Sequence, residues 1–167
     1  MPSWRKFEER VAKDFGGKLQ PGSGRFHGSR EDVITPNFLI QCKSSKDSTI
    51  RIEFDDINNL IGHAIQVQRT PILAAAPGWP HKSSYYFLIT RSDIANGVLP
   101  ISTAALKYRR LKTNQKGFSV NYIEDNQIHM DWEEDPHLPP GWVDSDLWKE
   151  IAIVPSRSLR RPDGKCF

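Results

Sequence analysis

Eight residues separate Asp32 from the run Gln41-Cys42-Lys43, and the stretch between them is built to fold back on itself. Val33-Ile34-Thr35 and Phe38 to Lys43 are rich in β-formers, and Pro36-Asn37 between them supplies a turn. Side chains alternate along a strand, so Gln41 and Lys43 share one face while Cys42 takes the other. The hairpin therefore brings a carboxylate, an amide oxygen and an ammonium to one end of a sheet. Phosphodiester hydrolysis uses such a group. Carboxylate and carbonyl-type oxygens suit Mg²⁺ or Mn²⁺, hard cations that keep several waters. A bound metal lowers the pKa of its water and stabilises charge on the scissile phosphate. A nearby ammonium orients that water and neutralises developing charge. Asp32, the Gln41 side-chain oxygen and the Cys42 backbone carbonyl are the candidate metal-side oxygens, with Lys43 placing the water.

A second carboxylate is available from the element before the hairpin. An amphipathic helix is expected from Ser3 to Phe15, capped by Ser3, with Trp4, Phe7, Val11 and Phe15 at spacings of three and four, and closed by Gly16-Gly17. Each residue advances roughly 100° around the axis. Glu8 then falls at the edge of the apolar stripe, whereas Glu9 lies on the opposite, solvated face. Glu8 is thus the carboxylate expected to reach the site.

Further elements are needed to hold these groups in place. Lys18 to Gln20 is extended and leads into the loop Pro21-Gly22-Ser23-Gly24. Ile50 to Ile52 is a short strand, and Asp55 to Gln68 is a helix whose Ile57, Leu60, Ile61, Ala64 and Ile65 form one stripe. Pro71 to Ala75 and Tyr85 to Thr90 have the apolar character of buried strands, and Arg91 to Asn96 that of a short helix. The order predicts an α/β fold, a mixed central β-sheet flanked by helices. A nuclease-type core over residues 1–99 would be followed by an extension of the same domain over residues 100–167. That extension is irregular, with a hairpin of Ser119 to Ile123 and Gln127 to Trp132, a loop from Pro136 to Gly141, a helical turn from Asp144 to Glu150 and a strand from Ile151 to Val154. It ends in a basic tail from Arg157 to Phe167. Trp79, Tyr85 and Tyr86 are expected to pack, since no aromatic ladder for stacking single-stranded bases is present.

Composition narrows the partners. A chain of 167 residues supports one core. No window is apolar over the ~20 residues of a membrane span, and the charged N-terminus lacks a secretory h-region, so an intracellular, cytoplasmic protein is expected. The two cysteines, Cys42 and Cys166, make neither a disulfide framework nor a zinc motif; Cys42 is expected to pack as a small hydrophobe. The net charge of +3 permits a polyanion without requiring one. Basic residues gather at Arg25 to Arg30, Lys107 to Lys116 and Arg157 to Lys165, with an acidic block from Asp131 to Asp135 between the last two. Arg25, Arg30 and Lys46 flank the candidate site and are placed to meet backbone phosphates. His27 and His63 carry ordinary surface or packing roles.

Taken in order, the helix with its inward Glu, the Pro-Gly-Ser-Gly loop, Glu-Asp-Val and Ile-Gln-Cys-Lys-Ser resemble the PD-(D/E)xK nuclease superfamily, particularly its small archaeal- and phage-type Holliday-junction resolvases. The resemblance covers about Phe7 to Thr90. It implies a restriction-endonuclease-like core, and a Mg²⁺- or Mn²⁺-dependent endonuclease acting on branched DNA such as a four-way junction. It further implies a catalytic set of Glu8, Asp32, Gln41 and Lys43, with Ser23 near the scissile phosphate. It also implies a homodimer that cuts two strands symmetrically. Two positions depart from the pattern: Glu31 replaces the proline before the aspartate, and Gln41 replaces the motif acid. The Gln-Cys-Lys form is similar to Mrr-type restriction nucleases, which gives duplex cleavage as a second expectation. A DNA-binding module whose site has decayed at Gln41 is the third.

Overall fold

The computed structural model describes residues 3–19, 32–82, 84–88, 107–110, 115–124, 127–137, 139, 141 and 150–155. The expected helix Arg91 to Asn96 and the tail from Arg157 lie outside the described residues, as does most of the helical turn expected from Asp144.

Helix α1 (Ser3–Phe15) is followed by β1 (Lys18–Leu19), β2 (Val33–Ile34), β3 (Phe38–Ser45) and β4 (Thr49–Glu53). Helix α2 (Phe54–Gln66) leads to β5 (Thr70–Pro77) and β6 (Tyr85–Leu88). The later strands are β7 (Lys107–Arg110), β8 (Gln115–Glu124), β9 (Gln127–Glu134) and β10 (Glu150–Pro155). Among the described residues the fold is mixed α/β, with a seven-stranded sheet ordered β1-β2-β3-β5-β6-β10-β7 and a three-stranded sheet ordered β4-β8-β9. The larger sheet is mixed: β3 and β5 run parallel, and its other pairs are antiparallel. Parallel neighbours need a long crossover, which the β4–α2 segment supplies.

Each face of the larger sheet carries a helix. Phe7, Val11 and Phe15 of α1 pack with Val33, Phe38, Ile40, Ala74 and Tyr86 on one face. Phe15 meets Phe38 and Tyr86 edge-on, and Tyr86 donates from its hydroxyl to Asp14 at 3.2 Å, fastening the helix to β6. Phe54, Ile57, Leu60, Ile61 and Ala64 of α2 pack on the other face with Leu39, Leu73, Tyr85 and Phe87. The small sheet closes over this second core: Ile50, Ile52, Phe118 and Val120 alternate inward while Thr49, Arg51 and Glu53 face out. Strand β5 is buried on both faces along nearly its whole length, as its apolar, alanine-rich sequence requires.

Several expectations need correction. Trp4 sits at the angular centre of the α1 stripe yet is 47% exposed, unlike Phe7 and Val11. Ile65 is 57% exposed; it lies roughly 90° from the centre of the α2 stripe, and Phe54 joins the buried set instead. Thr35 serves the turn rather than the strand, its hydroxyl accepting from the N–H groups of Asn37 and Phe38. The expected hairpin is β8–β9 and extends the sheet begun by β4, while β10 inserts between β6 and β7. Lys107 to Arg110, taken from sequence only as part of a basic cluster, is a strand.

Candidate functional site

The site is built at the open end of the β2–β3 hairpin, under α1. Register pairs Val33 with Ile40 and Ile34 with Leu39, so one further step sets Asp32 across from Gln41. Asp32 is held there by the backbone: its Oδ2 accepts the Cys42 N–H at 2.7 Å. Glu8 descends on it from the helix. This residue is only 5% exposed, while Glu9 is exposed, in line with the helical angle between them. The acid of Glu8 is hydrogen-bonded to the Asp32 side chain. Burial, the Asp32 charge and that hydrogen bond push the Glu8 carboxyl up from 4.5 to about 8, against the opposing pull of Arg5. Glu8 therefore keeps its proton at neutrality. Glu8 Oε2 is buried with no hydrogen-bond partner, its nearest cation being the Arg5 guanidinium at 3.8 Å.

Strand alternation divides the remaining groups between two faces. Phe38, Ile40 and Cys42 pack toward the α1 core, whereas Leu39 faces the α2 core. Gln41 and Lys43 follow Leu39 in period and lie on the α2 side. Gln41 Oε1 is buried and accepts nothing. The Lys43 ammonium donates to Asp56 Oδ2 at 2.8 Å, an ion pair from the end of β3 to the first turn of α2. Asp32 is therefore the meeting point, with Glu8 above one face of the hairpin and Gln41 and Lys43 on the other. Sequence reasoning missed Asp56. The available signal was the Asp55-Asp56 pair opening an apolar helix, which a lysine at the end of the preceding long strand can reach once the helix returns beside it.

Cys42 is half-buried, and its thiol is raised well above 9.0 by burial and by the Asp32 and Glu8 charges. The thiol therefore stays protonated, leaving the backbone carbonyl as the ligating atom this residue can offer. Lys46 is exposed in the bend after β3. Trp79 is buried against Phe7 with ring centroids 5.0 Å apart, and Tyr85 and Tyr86 are buried, so all three pack. Ser23, Arg25, His27 and Arg30 lie outside the described residues.

No known protein family, characterised protein or solved structure matches the chain. The chemistry of the donors must then speak for itself. Among the described residues no cluster of three or more His, Cys, Asp or Glu side chains is arranged as a metal cage. The Glu8 and Asp32 carboxyls and the Cys42 backbone lie together, with the Gln41 amide on the other side of β3. All are hard oxygen donors, and among the described residues Glu8 Oε2 and Gln41 Oε1 are buried with no hydrogen-bond partner. A buried carboxyl beside a second carboxylate is an arrangement that a divalent cation would relieve. Oxygen donors of this kind suit Mg²⁺ or Mn²⁺.

Proposed function

We propose that the protein is a metal-dependent endonuclease that hydrolyses DNA phosphodiesters, with branched DNA as its substrate and a homodimer as its working form. The observation that carries this is the buried Glu8 against the half-buried Asp32, with Asp32 clamped by the Cys42 N–H at 2.7 Å and Gln41 beside it in register. The site resembles that of the PD-(D/E)xK nucleases in its residue types and order. A restriction-endonuclease-like core is part of the same proposal.

Asp32, Glu8, the Gln41 amide oxygen and the Cys42 carbonyl would hold the cation. Bound there, Mg²⁺ or Mn²⁺ supplies an acidified water and charge stabilisation at the phosphate. Glu8 must release its proton to take part, and Arg5 nearby favours that release. The Cys42 N–H fixes the Asp32 carboxylate, so its orientation needs no reorganisation when substrate arrives. Lys43, on the Gln41 side, orients the attacking water and meets the negative charge that grows on the phosphate. Ser23, Arg25, Arg30 and Lys46 would grip the DNA backbone around the site.

The test is cleavage of a labelled four-way junction and a matched linear duplex, with Mg²⁺, Mn²⁺ or chelator. Paired nicks in the junction alone are expected, abolished by chelator and lowered at least ~100-fold by Asp32→Ala and by Lys43→Ala. Equal cutting of both substrates would transfer the proposal to duplex DNA, in the manner that Gln41 suggests. Binding without cutting would leave a DNA-binding module and end the enzymatic proposal.

A further inference from the structure

We propose that Asp56 is the positioning residue for Lys43, a role that rests on the nuclease function proposed above. A lysine ammonium rides on a flexible four-carbon stem with freely rotating donors, so a strand position alone does not place it. In this protein, among the described residues, the ammonium is held 2.8 Å from Asp56 Oδ2. That carboxylate comes from the first turn of α2, a rigid element whose Ile57, Leu60 and Ile61 are anchored in the core. The pair therefore fixes the ammonium itself relative to the start of α2, on the side of β3 that carries Gln41.

Two simpler explanations for Asp56 are weaker. Acidic residues favour helix N-termini, but Asp55 stands in the same first turn and supplies the same charge without touching Lys43. The pair is also a poor staple for the fold. Its side chains are 27% and 32% exposed, a setting in which ion pairs add little stability. Positioning is another matter, since small displacements of a catalytic group can cost about a hundredfold in rate.

The experiment compares single-turnover junction cleavage and junction affinity for the full chain and for Asp56→Asn, Asp55→Asn, Asp56→Glu, Lys43→Ala and the Lys43→Ala/Asp56→Asn double variant. Asp56→Asn is expected to slow cleavage by about tenfold to a hundredfold with binding no weaker, because a negative charge near the DNA has been removed. Asp55→Asn should leave the rate unchanged, and Asp56→Glu should recover most of it. The double variant should be no slower than Lys43→Ala, since the two residues act as one unit. Equal rates for Asp56→Asn and Asp55→Asn, or additive losses in the double variant, would overturn the positioning role while leaving the nuclease function standing. A full-length protein that binds but never cuts would overturn both.

Discussion

Glu8 and Asp32 belong to elements that meet only through packing, and their proximity makes Glu8 a pH-dependent component of the fold. The carboxyl is raised from 4.5 to about 8, chiefly by burial and then by Asp32. Between those values the folded chain keeps a proton that the unfolded chain gives up. The stabilisation from protonated Glu8 is therefore complete below about pH 4.5 and is lost as pH climbs through about 8. In metal-free buffer the Tm should fall over this interval, relative to Glu8→Gln, which stays neutral and flattens the curve. Mg²⁺ or Mn²⁺ should invert the trend, because the ligand set must lose the proton to bind and affinity rises with pH. Parallel Tm–pH curves for the native and Glu8→Gln proteins would refute protonation of Glu8 in the folded chain. Under the proposed metal binding, the cation would displace that proton.

At the scale of elements, β4 and β8 pair with no room for a side chain at Gly117. A Cβ placed on Gly117 would stand 2.3 Å from the Ile52 carbonyl oxygen and 3.0 Å from Glu53 Cα. Both are backbone atoms and cannot yield without opening the small sheet. Gly117→Ala should destabilise by about 1–3 kcal/mol, read as a lower denaturant midpoint. Gly62→Ala is the control: nothing lies within 4 Å of its added Cβ, and an exposed helical glycine gains about 0.5–1 kcal/mol from alanine. Shifts of the same sign would contradict the close register.

That pairing also marks what sequence can reveal. The span of α1 and the inward turn of Glu8 follow from a 3.6-residue period and a closing glycine. The β2–β3 hairpin follows from Pro36-Asn37, and these local rules place Asp32 beside Gln41. No local rule joins Ile50 to Val120 or slots β10 between β6 and β7, because such contacts are chosen by the whole core. Asp56 escaped for the same reason: its partner is thirteen residues away, across a strand and a helix start. Trp4 shows the converse, a correct period that, among the described residues, no element covers.

For the molecule as a whole, a net charge of +3 is too small to hold DNA by general attraction, so the proposed DNA binding would have to draw on local clusters. The outer face of the small sheet is a poor candidate, with Asp131 and Glu133 exposed on β9. The far end of the larger sheet offers more. Strand β7, Lys107-Tyr108-Arg109-Arg110, is terminal among the described strands, beyond β5, β6 and β10 from the site strand β3. At the usual spacing between neighbouring strands this is about 19 Å away, so contact there would require DNA to extend well past the cleavage point. A four-way junction does so with its additional arms. Replacing Lys107, Arg109 and Arg110 together by Gln should then weaken junction binding more than duplex binding. If each cation neutralises one phosphate, the slope of log affinity against log salt should drop by about 2–3, since each lost contact is worth about 0.9. Cations on a terminal strand also discourage edge-to-edge association. An unchanged salt slope accompanied by self-association of the triple variant would assign these residues to guarding the sheet, and would place the junction's other arms elsewhere on the protein.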